Sequence, residues 1–263
     1  MFNKNKNLYV ANWILLTTLL VAIMIIVGGL TRLTDSGLSI TKWELFTGII
    51  PPITLGQWID AFNEYKKIPE FKIQNYDMTL NEFKIIFWWE WAHRQLGRLI
   101  GLTVLLPMIY FTIKNGFWIL REYSIIFFLV CFQGFIGWYM VSSGLIDRID
   151  VSHYRLSLHL VTAFIILSIV FWKYLNLTDI KINHINIQLN PIKFFLLLLF
   201  LQLIIGAFVS GMDAGKIYNT WPLMGSSYFP DDSVIYDLFN LKVFDDQSLV
   251  QFIHRNLAYL IVI

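Results

Sequence analysis

The sequence predicts an all-α polytopic membrane protein made of two repeated four-helix transmembrane bundles, the second incomplete in this chain. Three observations carry this. Hydrophobic residues make up 57% of the chain and charged residues only 14%, against about 25% charged in a soluble domain, and the mean hydropathy is +0.60. The apolar residues come in blocks of the length that crosses a bilayer, about 20 residues. One pattern of residues also occurs twice at constant spacing.

Five apolar segments are complete: Val10–Leu30, Trp91–Ile113, Ser124–Ser143, Leu156–Tyr174 and Ile192–Met212. The first lacks a small-residue cleavage site and is too long for a signal-peptide core, so it is read as a retained helix. A sixth segment begins near Leu249 and is still apolar at Ile263. At about 1.5 Å per residue it covers roughly half a crossing, so C-terminal helices are expected to be missing, two of them if the second copy of the repeat has four helices like the first. Gln57–Tyr65 and Leu80–Phe87 read as short amphipathic helices, with Pro51-Pro52 breaking the chain before them. Lys4, Lys6, Lys114, Arg121, Lys173, Lys181 and Lys193 fall on one side if the segments alternate. That side is the cytoplasm by the positive-inside rule. The connections Thr31–Phe87, Gly144–Arg155 and Asp213–Ser248 then face outward.

The net charge of +2 has no dense basic cluster, which sets nucleic acid aside as a partner. The single Cys131, inside an apolar run, allows no internal disulfide or thiolate metal site and reads as a core thiol.

The repeat runs Val27-Gly28-Gly29, Asp35-Ser36-Gly37 and Trp43-Glu44-Leu45-Phe46, then Ile205-Gly206-Ala207, Asp213-Ala214-Gly215 and Trp221-Pro222-Leu223-Met224. His93-Arg94-Gln95-Leu96 recurs as His254-Arg255-Asn256-Leu257. The first half is assigned to residues 1–176 and the second, truncated within its second helix, to 177–263. Duplicated helical units are a known way to build paired sites in membranes.

His93 opens its helix with Gly97 and Gly101 on the face below it. These glycines leave a groove for a flat macrocycle, or serve as a small-residue helix contact. Arg94 and Arg98 flank the face, suited to haem propionates or to snorkelling toward lipid phosphates. His159 lies one turn into the fourth segment, at a depth similar to His93. Two neutral imidazoles on facing helices are what bis-histidine haem ligation requires. His254 repeats His93, and its partner is expected beyond residue 263. His153 and His184 read as solvated histidines. Glu90 stands one turn before His93 among Trp88, Trp89 and Trp91. It is either an interfacial carboxylate paired with Arg94 or a carboxylate at the edge of a bound haem. Gln251 matches it in the second copy; a purely structural acid would be expected to recur, which points to the second alternative.

Four blocks resemble the haem A synthase family in its proteobacterial and mitochondrial form. They are Gly28-Gly29-Leu30-Thr31-Arg32-Leu33-Thr34-Asp35-Ser36-Gly37-Leu38-Ser39, Pro51-Pro52 with Trp58, Glu82-Phe83-Lys84 through Phe87-Trp88-Trp89-Glu90-Trp91-Ala92-His93-Arg94, and Gln133-Gly134 through Gly144-Leu145. The resemblance covers nearly the whole chain. It implies eight transmembrane helices in two halves and the oxidation of a methyl group of haem O to a formyl group, giving haem A for cytochrome c oxidase. It implies His93 and His159 as iron ligands of the substrate haem O, and His254 as one ligand of a haem b cofactor. Glu90 becomes the catalytic carboxylate, with Arg94, Arg98, Arg155 and Arg255 as propionate contacts. It further implies a multi-pass inner-membrane protein with a cytoplasmic N-terminus, surrounded by lipid. Its partners would be haem O synthase, a redox partner and other copies of the chain. The sequence departs from its relatives at His153, where proline is expected, and in lacking the loop cysteine pairs of some of them. An electron-transferring b-type cytochrome explains the histidines and the duplication but not Glu90 or the loop match. A transporter with inverted repeats would need helices broken at mid-membrane, and these segments have no such break apart from Pro107.

Overall fold

The computed structural model describes residues 4–44, 47–146, 148–178 and 189–262. Every regular element among them is helical: α1 (Lys4–Leu33), α2 (Leu55–Tyr65), α3 (Pro69–Ile73), α4 (Leu80–Asn115), α5 (Trp118–Gly144), α6 (His153–Leu177), α7 (Leu189–Gly211) and α8 (Gln247–Val262), with short 3₁₀ turns between them. Among the described residues, α1, α4, α5, α6 and α7 are long and apolar enough to cross a membrane. The protein is an all-α polytopic membrane protein. In hydrocarbon every backbone N–H and C=O must be satisfied within the segment, and a long helix does that.

The chain folds as two units. One holds residues 1–149 and 162–182, the other residues 150–161 and 183–263, so the first turns of α6 belong with the second unit.

In the first unit α4 packs on α1 and on α5. The contact residues recur every three or four positions: Val10, Trp13, Ile14 and Val21 on α1; Ile100, Val104, Met108 and Phe111 on α4; Ile119, Tyr123 and Ile126 on α5. That spacing gathers them on one stripe per helix. The Trp13 indole donates to the Thr103 carbonyl at 2.7 Å, and the Thr17 and Thr18 hydroxyls bond back to carbonyls of their own helix. Each buried polar atom thereby keeps a partner, as an apolar surrounding demands. Pro107 sits inside α4 without ending it.

Leu80–Phe87 is not a separate helix. The Thr79/Glu82 capping box starts a single helix that runs to Asn115, because no breaker separates Phe87 from Trp91. Its first turns carry α2, itself started by the Thr54/Gln57 capping box, through Trp58, Phe62, Tyr65, Phe83 and Phe87.

In the second unit α7 packs on α8 around Ile205, Phe208 and Val250. Gly211 lies against His153: a Cβ at position 211 would stand 2.9 Å from the His153 Cα.

Two expectations fail here. Cys131 is exposed on the face of α5 that also shows Phe128, Phe132 and Phe135, so the thiol is not in the core. An apolar run says only that a segment is in lipid; it does not choose the side facing protein. His153 is not solvated. It is 3% exposed, packed against a tilted Tyr154 ring and edge-on to Phe208, with Nε2 3.4 Å from the Asp245 carboxylate. The cause is the glycine at 211, which lets the α6 backbone come close. His184 lies outside the described residues.

Candidate functional site

The Thr34–Glu44 loop closes over the α4 face that carries Glu90, His93, Arg94 and Arg98. The loop leaves α1 through a left-handed residue, Asp35 (φ 47°), whose carboxylate pairs with Arg32 at 2.7 Å. Leu38 then presses on Gly144 of α5, where a Cβ would stand 2.6 Å from its Cδ1. A side chain at 144 would force the Leu38 side chain to shift.

The next residues reach Glu90, which is 3% exposed. Its Oε2 accepts from the Ser39 hydroxyl and from the Ile40 N–H, each at 2.7 Å. Its Oε1 accepts from Arg94 Nη2 at 2.6 Å and Nε at 3.1 Å. Arg94 also donates to the carbonyls of Ile40 (2.8 Å) and Lys42 (3.0 Å) and lies over the Trp43 ring. Gln95 donates to the Gly48 and Ile49 carbonyls, and Arg98 to that of Glu44. One helix face therefore holds the loop by its backbone. Beside Arg94 and Trp43, toward Trp138 and Ser142 of α5, lies a cavity of about 160 Å³.

The His93 ring packs on α1 at Gly28, where a Cβ would stand 3.3 Å from its Cε1. Gly97 meets the Met24 methyl, and nothing stands within 4 Å of a Cβ at Gly101. The glycine that makes room for the histidine is thus on α1, not on α4 itself. Its signal was present in the repeat, where Gly28 and Gly206 correspond.

The second unit reproduces these contacts at the matching positions. His254 packs on Gly206, with 3.0 Å from a Cβ there to its Cε1. Asp213 is left-handed (φ 54°) like Asp35. Gln251 accepts from the Tyr218 N–H at 3.3 Å and donates to the Tyr218 carbonyl at 2.9 Å. Arg255 donates to the carbonyls of Tyr218 (2.7 Å) and Thr220 (2.8 Å). A purely structural group does recur at position 251, as an amide, so the exchange of Glu90 for Gln251 does not by itself make Glu90 catalytic.

His93 and His254 are the imidazoles of this arrangement that could hold an iron. Each ring lies on a glycine of the helix it packs against, and His254 Nδ1 is buried without a hydrogen-bond partner among the described residues; its Nε2 faces the Gln202 amide at 3.3 Å. Arg94 and Arg255 have donors already engaged by loop carbonyls, as does Arg98. His159 and Arg155 are half-buried on α6, in the stretch that folds with the second unit.

Residues 11–263 match the model of the cytochrome oxidase assembly protein family, COX15-CtaA. The chain is similar to the heme A synthase of Pelagibacter ubique (strain HTCC1062), 52% identical over 97% of this chain and 76% of the relative. It is 46% identical to the heme A synthase of Maricaulis maris (strain MCS10), over 99% of this chain and 77% of the relative. With the heme A synthase of Flavobacterium psychrophilum it shares 44% identity over 98% of this chain and 77% of that protein. No solved structure matches. A family match spanning both units, and with it the whole of the loop, α4 and α8, shows that the chain belongs to the cytochrome oxidase assembly protein family, COX15-CtaA.

Proposed function

We propose that this chain is a haem A synthase, oxidising a methyl substituent of haem O to a formyl group and supplying haem A to cytochrome c oxidase. The observation that carries the reading is the identity with heme A synthases over nearly the whole chain. The region matched by the family model contains Glu90, His93, His159 and His254.

In this reading His93 and His159 ligate the iron of the substrate haem O. Converting the methyl group to a formyl group with one water releases four protons and four electrons. The electrons pass to a redox partner that accepts them one at a time, and Glu90 accepts protons near the reacting carbon. His254 would hold a haem b cofactor, which when bound supplies one-electron transfer. Arg94, Arg98, Arg155 and Arg255 contact propionates with donors left over from the loop. Residues 1–176 and 177–263 form the two duplicated halves, supported by the matching contacts at Ile40 and Tyr218. The setting is a cell inner membrane with a cytoplasmic N-terminus, beside haem O synthase and within an oligomer of the chain.

The test is pigment extraction from cells that make haem O and express the chain. Haem A should appear with the unaltered protein and be lost in His93→Ala, His159→Ala and Glu90→Gln. Extracts holding only haem O and haem b for the unaltered protein would overturn the reading. A second reading, a b-type cytochrome that only passes electrons, is favoured by one observation: Glu90 and Gln251 do the same structural work in their loops. Haem A production independent of Glu90 would leave Glu90 in that structural role.

A further inference from the structure

We propose that Ser39 is a positioning residue for Glu90, supplying the one donor that can leave the carboxylate when the carboxylate must take a proton. The inference rests on the reading of Glu90 as the proton acceptor.

A carboxylate offers about four acceptor sites, and Glu90 has four donors on them: Ile40 N–H and Ser39 on Oε2, and two Arg94 nitrogens on Oε1. With all of them engaged there is no site for an incoming proton, so one donor has to move. Ile40 N–H is backbone and stays where the loop is. Arg94 is charged, and its guanidinium is pinned further by the Ile40 and Lys42 carbonyls. Ser39 differs. Its hydroxyl carries one proton on a rotatable bond, and two other acceptors already stand near: the Ser36 carbonyl at 3.2 Å and the Ile86 carbonyl at 3.3 Å. A turn about that bond moves the hydroxyl proton from Glu90 to a carbonyl without leaving a buried donor unsatisfied. The turn exposes a lone pair on Oε2 while Oε1 and the loop remain fixed.

The second unit separates this role from holding the loop. At the position matching Ser39 stands Ile217, and at the position matching Glu90 stands Gln251, yet Gln251 still grips the Tyr218 backbone and Arg255 still grips the carbonyls. The clamp closes there without a hydroxyl. The hydroxyl is found where the side chain is a carboxylate.

The experiment measures haem A formation against haem O concentration in the detergent-solubilised full chain, for the unaltered protein, Ser39→Ala, Ser39→Thr, Glu90→Gln and, as a control in the second unit, Ile217→Ser. In Ser39→Ala the Oε2 acceptor site is open at all times instead of only when the hydroxyl turns, so a proton fills it before turnover; kcat should fall by roughly 100-fold, the lower end of what a general base contributes, with KM for haem O changed less than about two-fold, since substrate contacts remain. Ser39→Thr, which keeps a rotatable hydroxyl, should recover most of kcat, and Ile217→Ser should match the unaltered protein. Adding Ser39→Ala to Glu90→Gln should cause no further loss. Wild-type kcat in Ser39→Ala, or a loss that threonine does not rescue, overturns the proposal. If Ser39→Ala does not accumulate, Ser39→Gly, which also lacks a side-chain donor, replaces it; a wild-type kcat there has the same meaning. Glu90→Gln inactive with Ser39→Ala fully active refutes the serine alone, whereas full activity in Glu90→Gln refutes the reading of Glu90 and the proposal with it.

Discussion

Glu90 and Arg94, one turn apart on α4, meet through two nitrogens on one oxygen at 2.6 and 3.1 Å, and both are nearly enclosed. The matching pair in the second unit, Gln251 and Arg255, has no net negative charge to bury. The two clamps look alike in their contacts but differ in what is lost when the arginine is removed.

Arg94→Ala should therefore cost more than Arg255→Ala. The first leaves a carboxylate buried without its counter-charge, roughly 3–5 kcal/mol; the second loses hydrogen bonds to carbonyls, roughly 1–3 kcal/mol. Adding Glu90→Gln to Arg94→Ala should restore part of the loss. Thermal unfolding in detergent, followed by circular dichroism, measures all of these. Equal costs for the two arginines would refute the charge argument.

Gln251→Leu should loosen the second unit by about 1 kcal/mol, because the part-buried Tyr218 N–H and carbonyl lose their partner. Gln251→Glu should be tolerated better, since Arg255 at i+4 stands where Arg94 stands relative to Glu90. A Gln251→Glu protein as unstable as Gln251→Leu would show that the two clamps are not equivalent. Neither variant touches the Glu90 site, so methyl oxidation per folded molecule should persist.

Gly211→Ala should destabilise the second unit by roughly 1–3 kcal/mol. The new methyl would stand 2.9 Å from His153 Cα, a backbone atom that cannot swing aside, and this outweighs the helix preference for alanine, about 1 kcal/mol. Gly215→Ala, whose nearest neighbour is a Val209 methyl at 3.7 Å, should be close to neutral. Both are read from the same unfolding curves.

The loop around Asp231 should open in acid. The Ser226 N–H (2.6 Å) and hydroxyl (3.0 Å) hold its carboxyl below the ordinary aspartate range. A depressed carboxyl contributes stability that is fully present above its unfolded value, near pH 4, and that is lost as the pH falls through the folded value. Hydrogen exchange at the Ser226 amide should accelerate below roughly pH 4, and Asp231→Asn should remove most of that dependence. An Asp231→Asn protein with the same acid limb would place the titrating group elsewhere.

The helices that cross the membrane were legible in the sequence because lipid imposes one condition on every residue of a crossing segment, and a run of about 20 apolar residues satisfies it locally. The break at Pro51-Pro52 and the Asp-small-Gly turns at Asp35 and Asp213 were legible for the same reason, being short-range; the capping threonines Thr54 and Thr79 are equally local but were not read. The union of Leu80–Phe87 with the helix that follows was not foreseen, since a change from amphipathic to apolar composition marks a change of solvent and need not be a break in the backbone. Which side of a helix meets protein was beyond the sequence as well, since in an apolar run both sides look alike. Cys131 was placed inside and is exposed; His153 was placed in water and is buried against a glycine 58 positions along the chain. The arrangement around Glu90 depends on Ser39 and Ile40, 51 and 50 positions before it. The sequence by itself determined the membrane-spanning helices. Only the tertiary structure decided which polar atoms satisfy one another, because a buried donor accepts whichever partner the folded backbone brings within reach, at any distance along the chain.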